Sequence, residues 1–455
     1  MSAVLFRALR RGLGDEQIVR RPDDVYRSDK WFAKGEPLAV LFPGSTGEVS
    51  FVMRTASRLG VPVTPRGAGY GYVGGCTPVE GGLVVCLDRM TRILEIHPRD
   101  FVAVVEPGVI TGRLQEAARR KRLFYPPDPA SLKDCSIGGN IATNAGGPRC
   151  LKYGVTRNYV LGLTVVMPDG TVVPCGGRTH KNKTGFDLVG LFTGSEGLLG
   201  LVTEATLRLL PLPPARAVLS AGFATPRAAA RAIQAVFSEG FLPAALEIAD
   251  AFTLDAARAF QPGADFPGGK AQVLLEVDGQ PESVRLESLA LERLLGGHGA
   301  LDVRRADTAE GCEALWGLRR LYSQSLKATG LKKLNEDIVV PRGRLVDLMA
   351  FASRLRKSSG FPIACFGHAG DGNIHVNIMV ADAENPDVRK RADGALNQLF
   401  RQVLAWEGAI TGEHGIGLAK KPWWSEALPE SARLLHRQIK SALDPNGLMN
   451  PGKFV

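Results

Sequence analysis

No stretch of this sequence approaches the roughly 18 apolar residues that a bilayer-spanning helix needs. Cysteine is scarce and dispersed. The seven cysteines, at positions 76, 86, 135, 150, 175, 312 and 365, form no C-x-x-C pair. An odd, scattered set argues against a disulfide framework and for a reducing compartment. It also excludes an iron–sulfur cluster held with ferredoxin-like spacing. Aromatic residues are only 7% of the chain, and the basic residues behind its net charge of +10 fall in short clusters such as RALRR and ARRKR. A nucleic-acid surface would concentrate them among aromatics, so no nucleic-acid partner is expected. The positive balance suits small anionic substrates, a diphosphate cofactor or an acidic partner, and equally a solvated surface. No repeat, low-complexity tract or haem motif is present. The Arg-rich start MSAVLFRALRRGLG resembles a transit peptide but soon reaches acidic residues, so it reads as a surface helix. The expected location is cytoplasmic, with peripheral attachment to a membrane through a partner as the alternative.

What is present is enough chain, 455 residues, for two or three domains with sizeable cores. From about Leu38 to Leu212, short β-rich segments alternate with glycine-rich turns and a few helices. The proline-rich LPLPP, ending at Pro214, marks a boundary. Beyond it, AVLSAGF, AALEIAD, AQVLLEVDG and ALDVRRAD read as strands interleaved with helical TPRAAARAIQAVFSEG and PESVRLESLALERLLGG. Such units of similar size predict an α+β domain with an antiparallel sheet and helices on one face. A long helix follows over roughly Pro386 to Trp406, then a last helix and the tail DPNGLMNPGKFV. The expected domains are 1–213, including an N-terminal extension 1–35, then 214–420, with 421–455 returning to the first.

Residues 65–75, PRGAGYGYVGG, spell G-x-G-x-x-G through Gly69, Gly71 and Gly74, the fingerprint of a dinucleotide-binding βαβ unit. The context denies it. Too few residues separate Gly75 from the strand GLVVCLD for even a short helix. A second glycine-rich stretch, PPDPASLKDCSIGGNIATNAGG, follows. Glycines let backbone approach a ligand closely, and successive N–H groups form anion-binding nests. Two such loops in one domain suit a diphosphate joined to a planar ring.

These residues resemble the flavoproteins related to vanillyl-alcohol oxidase and p-cresol methylhydroxylase. PRGAGYGYVGG, PDPAS, CSIGGNIATNAGG, LGLTVVMPDG, KTGFDLVGLFTGSEGLLGLVTEATLRL and NPGK match that family in order along nearly the whole chain. Within it the match is to the branch of D-lactate dehydrogenases, the glycolate oxidase flavoprotein subunit and D-2-hydroxyglutarate dehydrogenase. The resemblance implies a two-part FAD-binding domain of the p-cresol methylhydroxylase type plus an α+β cap domain. It implies noncovalent FAD, because neither loop holds the histidine that some relatives attach to flavin. Arg66, Gly67, Ala68, Gly69, Tyr70 and Gly71 would cradle its pyrophosphate through backbone amides. Pro127, Asp128, Ser131, Ser136, Gly138, Gly139, Asn140 and Asn144 would line the other side. Gly200 and Val202 would lie near the adenine, and Asn450 near the flavin ring. Ala68 and Tyr70 stand where the family often has Gly and Thr, and both can still offer their N–H.

Three of seven histidines fall in CFGHAGDGNIHVN and ITGEHGIG: His368, His375 and His414. The first motif leads through a turn into a strand, on which His375 and Asn377 share a face. Two histidines and Glu413 make a sufficient ligand set for a catalytic divalent ion, leaving His414 as a base. The family implies the same: His368, His375 and Glu413 as ligands of Zn, Mn or Fe, and His414 as general base. Asp371 reads as a turn residue or a partner that orients an imidazole. WGLRRLYSQS resembles the family's W-x-L-R segment, making Arg319 the grip for a substrate carboxylate, with Ser323 assisting. Asn335 stands where the 2-hydroxyglutarate enzymes have a lysine before D-x-x-x-P, with Lys332 and Lys333 close by.

The implied function is an FAD-dependent D-2-hydroxy-acid dehydrogenase of the D-lactate or glycolate type, with metal-assisted hydride transfer. D-2-hydroxyglutarate dehydrogenase, a non-catalytic FAD-binding subunit and a redox-neutral flavoenzyme resembling alkyl-dihydroxyacetonephosphate synthase are the alternatives. The expected partners are a small 2-hydroxy acid and a separate electron acceptor: an iron–sulfur subunit, an electron-transfer flavoprotein, a cytochrome or a quinone-linked protein. A homodimer or a peripheral membrane complex would suit such a chain.

Overall fold

A computed structural model describes residues 2–78, 81–382 and 384–455. They form two compact units: Met1–Gly146 with Val155–Leu212 and Glu413–Val455, and Gly147–Gly154 with Pro213–Gly412.

The first unit opens with helix α1 (Ser2–Leu9), which buries Leu5, Phe6 and Leu9. A four-stranded sheet follows, in the order β1 (Ile18–Val19), β2 (Ala39–Leu41), β4 (Leu83–Cys86), β3 (Val63–Arg66). Helix α2 (Thr46–Leu59) shows why its sequence is helical. Ser45 accepts from the N–H of Glu48 at the start, and Gly60 ends it at φ 64°. Val49, Val52, Met53 and Ala56, spaced for one helical face, are buried in a cluster with Leu41, Val63, Leu83 and Val85. Each of the Val, Leu and Met side chains contributes about 1.5–3 kcal/mol of burial.

A second, five-stranded antiparallel sheet runs β5 (Ile93–His97), β6 (Val102–Val105), β10 (Leu201–Arg208), β8 (Val160–Val166), β9 (Val172–Gly176). Around it lie α3 (Thr111–Arg120), the ribbon of β7 (Leu123–Phe124) with β11 (Leu210–Pro211), α4 (Ile137–Thr143) and α6 (Leu188–Phe192). The chain's last helices, α14 (Lys421–Ala427) and α15 (Glu430–Leu443), belong to this unit too, and the tail returns to it through a bridge between Met449 and Val63. The loop from β3 to β4 contains no helix among its described residues, and the two strands pair in parallel.

The second unit is a seven-stranded antiparallel sheet. Its order is β15 (Ala300–Ala306), β12 (Ala215–Phe223), β14 (Ala271–Gly279), β13 (Ala245–Ala249), β17 (Ile363–His368), β18 (Asn373–Val380), β16 (Lys332–Val339). Helices cover both of its faces, not one. One set is α7 (Pro226–Ser238), α9 (Pro281–Gly297) and α12 (Leu345–Ser359). On the other face α8 (Ala251–Phe260) and α11 (Tyr322–Ala328) bury Leu254, Tyr322 and Leu326 against Ala249, Phe366 and Met379. Beside them α10 (Ala309–Arg320) buries Cys312 and Trp316 against Val218, Ala245 and Leu274. Double cover explains why β13, β17 and β18 are buried at every position. Helix α13 (Pro386–Ala405) packs near β16 and β18.

Two boundaries differ from the sequence reading. Gly147–Gly154, carrying the one-turn helix α5 (Cys150–Tyr153), joins the second unit. Arg149 donates to both oxygens of buried Glu276 (2.7 and 2.8 Å), while Lys152 and Tyr153 bond Asp278. The return to the first unit begins at Glu413, not after residue 420. Glu196 accepts from Ile416 and Gly417, and Leu418 and Ala419 donate to Val73, which ties this stretch down.

Candidate functional site

In the first unit the two glycine-rich loops touch. Ser136 caps α4, accepting from Gly139, and the same oxygen accepts from Ala68 at 3.2 Å. The Ala68 N–H is therefore engaged within the protein. A Cβ on Gly67 would stand 2.6 Å from that Ser136 oxygen, and one on Gly138 2.7 Å from Pro107. Gly69 has φ 73°, a conformation that glycine adopts freely. Asp29 fastens the far end of the first loop, accepting from Gly74 and Gly75, and burial raises its carboxyl above the ordinary range. The Arg66 side chain is buried and donates to Ser28, Val25 and Cys76, and its carbonyl accepts from Leu87. Tyr70 lies beneath the Lys30 ammonium, and Gly71 packs close to Asp29.

In the second loop Pro127 accepts from Gln115, Asp128 is buried, and Ser131 accepts from Asp134 and Cys135 through its carbonyl. Asn140 is also buried, and its amide donates to Thr111. Asn144 ends α4 at φ 52° and accepts from Arg157. Gly200 leads into β10, where Val202 pairs with Val165. Asn450 is buried at φ 47° and donates to Gly75 and Glu196. Its side-chain oxygen finds no hydrogen-bond partner among the described residues. A buried acceptor left so beside glycine loops that exclude side chains fits a flat, polar cofactor such as FAD.

In the second unit register decides which side chains meet. Opposite residues of an antiparallel pair share a face. His375 faces Phe366 on β17 and Asp337 on β16, while Asn377 faces Asn335. Glu247 on β13 falls on the same face, two residues before Ala249, the partner of Phe366. The result is a polar end to an otherwise apolar surface. Glu247 is 1% exposed. One of its oxygens lies 2.6 Å from Nδ1 of His368, and the other accepts from Nε and Nη2 of Arg319 at 2.7 and 2.6 Å. Burial alone would raise this carboxyl, but His368 and Arg319 outweigh it and hold it at about 2. The guanidinium also lies over Phe366 and Tyr322, at 5.0 and 5.4 Å. The rings of His368 and His375 sit 5.6 Å apart and nearly perpendicular. Their ligand nitrogens approach within 4.8 Å.

A carboxylate only accepts, so in the neutral imidazole Nδ1 of His368 carries the hydrogen and Nε2 keeps its lone pair. That arrangement fits a metal ligand. Asp337, fully buried on β16, accepts from Asn373, Thr411 and Gly412 and so anchors the chain one residue before Glu413. Asp371 accepts from Asn373 in the turn between β17 and β18. In the first unit, His414 stacks on Tyr72 at 5.2 Å, with its Nε2 3.8 Å from a Glu413 oxygen. Lys333, on the same sheet face as Asn335, donates to Ser323 at 3.1 Å. Burial, assisted by Lys327, lowers its pKa to about 8.

The sequence reading missed Glu247, Asp337, Glu196 and Tyr72. Glu247 left a trace, the single acid of the apolar strand ALEIA, where a charge needs a reason, whereas Asp337 sits beside Glu336 in the polar KKLNEDIV and does not stand out. Tyr72 left none.

Residues 212–454 match the family of FAD linked oxidases, C-terminal domain, and residues 37–176 match the FAD binding domain. The glycolate oxidase subunit GlcD of Bacillus subtilis (strain 168) is 39% identical, covering 92% of this chain and 89% of its own. A D-lactate dehydrogenase of Anaerostipes hadrus is 33% identical over 93% of this chain and 90% of its own. Among solved structures, p-cresol methylhydroxylase with substrate bound superposes with a TM-score of 0.80 at 19% identity, covering 99% of this chain and 96% of that one. The 4-ethylphenol oxidase of Gulosibacter chungangensis gives 0.77 at 22%, with the same coverage. These two likenesses speak for the fold. With matched domain models over both glycine loops and the histidine-bearing sheet, the chain belongs to the FAD-linked oxidases and has the p-cresol methylhydroxylase type of fold.

Proposed function

We propose that the protein oxidises a D-2-hydroxy acid, of the D-lactate or glycolate type, to the 2-oxo acid and hands the electrons to a separate acceptor. The observation that carries this is the juxtaposition, on one sheet face, of an arginine and two imidazoles. A 2-hydroxy acid presents a carboxylate and a hydroxyl on adjacent carbons, and these groups answer that arrangement. Relatives named glycolate oxidase subunit and D-lactate dehydrogenase support the same chemistry.

His368, His375 and Glu413 would hold a divalent ion, and the two glycine loops with Asn450 would hold FAD. Bound FAD would supply the acceptor for the C2 hydride, and the ion would favour the alkoxide form of the 2-hydroxyl. Arg319 grips the carboxylate. Its Nε edge is engaged by Glu247, so the grip is made end-on through the remaining donors of the fork. His414 takes the hydroxyl proton at Nε2, held in orientation by the Tyr72 ring. No described helix is long and apolar enough to cross a membrane. Relatives named as subunits of glycolate oxidase support a separate protein as the acceptor of the electrons.

The test is anaerobic mixing of the FAD- and metal-loaded protein with D-lactate, L-lactate, glycolate and D-2-hydroxyglutarate, following the flavin's visible band. Bleaching by a D-acid or glycolate is expected. A flavin that none of them bleaches would overturn the reading.

A further inference from the structure

Glu247 has no place in the chemistry above, yet it is buried and paired at both oxygens. It sits mid-strand in β13 and is 1% exposed, and each oxygen serves a different functional side chain. A buried carboxylate is stabilising only when its partners satisfy it, and here both partners are groups that the reaction needs. His368 is the last residue of β17 and enters the turn Ala369–Gly372, where the backbone ladder itself sets no side-chain torsion. Arg319 lies in the last turn of α10, at the end of a long, flexible side chain.

We infer that Glu247 is a positioning residue: one carboxylate fixes the His368 ring with Nε2 turned outward and holds the Arg319 guanidinium at a set distance from it. Metal ligand and carboxylate grip are thereby registered to each other. A substrate chelating through hydroxyl and carboxylate needs that spacing, because a misplacement of about 1 Å costs on the order of a hundredfold. The inference rests on the proposed function, since it treats His368 as a ligand and Arg319 as the grip.

Its test uses the FAD-loaded full chain stripped of metal and titrated with Zn2+ and with Mn2+ by calorimetry. For Glu247→Gln we expect metal affinity about 10- to 100-fold weaker than wild type. An amide cannot accept from both neighbours, so the KM for the hydroxy acid should also rise at saturating metal, with flavin content near wild type. Glu247→Asp, which keeps the charge, should recover part of both. Affinity within threefold of wild type together with an unchanged KM would overturn the inference while leaving the proposed function standing. Absence of metal binding by the wild type would instead sink the metal reading itself. Should Glu247→Gln fail to fold, nitrogen NMR of the histidine-labelled wild type loaded with 113Cd2+ decides. Cadmium coupling through Nε2 with a hydrogen-bonded Nδ1–H on the partner of Glu247 is required. Coupling through Nδ1 at both metal-binding histidines overturns it.

Discussion

In the first unit the candidate site is made largely of backbone: Gly67 and Gly138 leave no room for a Cβ, Gly69 takes a left-handed φ, and Ser136 pins two loops together. In the second unit it is made of side chains, Glu247, His368, His375 and Arg319, brought together on a strand face. The two designs fail in different ways. A backbone cradle is lost when a side chain intrudes, whereas a side-chain cluster is lost when one member leaves a buried neighbour unpaired.

The sharpest way to break this comparison is a pair of substitutions. His375→Ala should abolish metal binding and lower flavin reduction by about 10³-fold or more, while the purified protein stays yellow. Gly67→Val should do the reverse, releasing FAD while leaving calorimetric metal binding in place, because its Cβ meets Ser136 at 2.6 Å. Overpacking of that kind also costs about 1–3 kcal/mol of stability. If either substitution removes both ligands, the two sites are not separable.

Next in size is Arg149→Met in the segment that joins the second unit. It deprives Glu276 (2% side-chain exposure) of its bidentate partner, leaving Trp316 and the more distant Arg216. About 3 kcal/mol should be lost in urea unfolding, somewhat below the loss for a fully orphaned charge because those two remain.

Smaller effects should appear as pH dependence, with opposite signs. Burial pushes Asp250, the cap of α8, up to about 6, above its unfolded value of roughly 3.9. The folded state then binds more protons between about pH 4 and 6, so this group lowers stability as pH rises through that window. Asp250→Asn keeps a capping oxygen and should raise the unfolding free energy at pH 7.5 by about 2 kcal/mol at most, converging with wild type near pH 4. Lys333 works the other way round. Its folded value of about 8 lies below the unfolded value of roughly 10.4, so stability rises between those limits as pH increases. Lys333→Met should therefore be more stable than wild type at pH 7, and the gain should vanish above about pH 10.5. The smallest change is Ser45→Ala, about 1 kcal/mol, through loss of the α2 cap.

The backbone site was the more legible of the two. Glycine is chosen where a Cβ cannot fit, so PRGAGYGYVGG and CSIGGNIATNAGG announce close approach wherever they occur. The false dinucleotide fingerprint could be set aside by counting residues to the next strand. His368 and His375 were legible as a motif, but their surroundings were not. That Glu247 lies on their face follows from the register of β13 on β17, a contact between residues more than a hundred positions apart. Arg319 was expected to meet a substrate; that it is also half of a buried ion pair could be seen only once α10 was placed on the sheet. Helices on both faces were missed because a strand buried on both sides shows a continuous apolar run instead of alternation.

By itself, then, the sequence determined the element types, the α2 caps, the flavin-loop glycines and the family, since these depend on local sterics, local hydrogen bonds and ordered motifs. Only tertiary structure decided that Gly147–Gly154 belongs with the second unit, that Asp337 anchors the approach to Glu413, and that one carboxylate serves both His368 and Arg319. Each depends on burying a charge against a partner distant in the chain, and such partners are selected by strand register and packing, which no local pattern encodes.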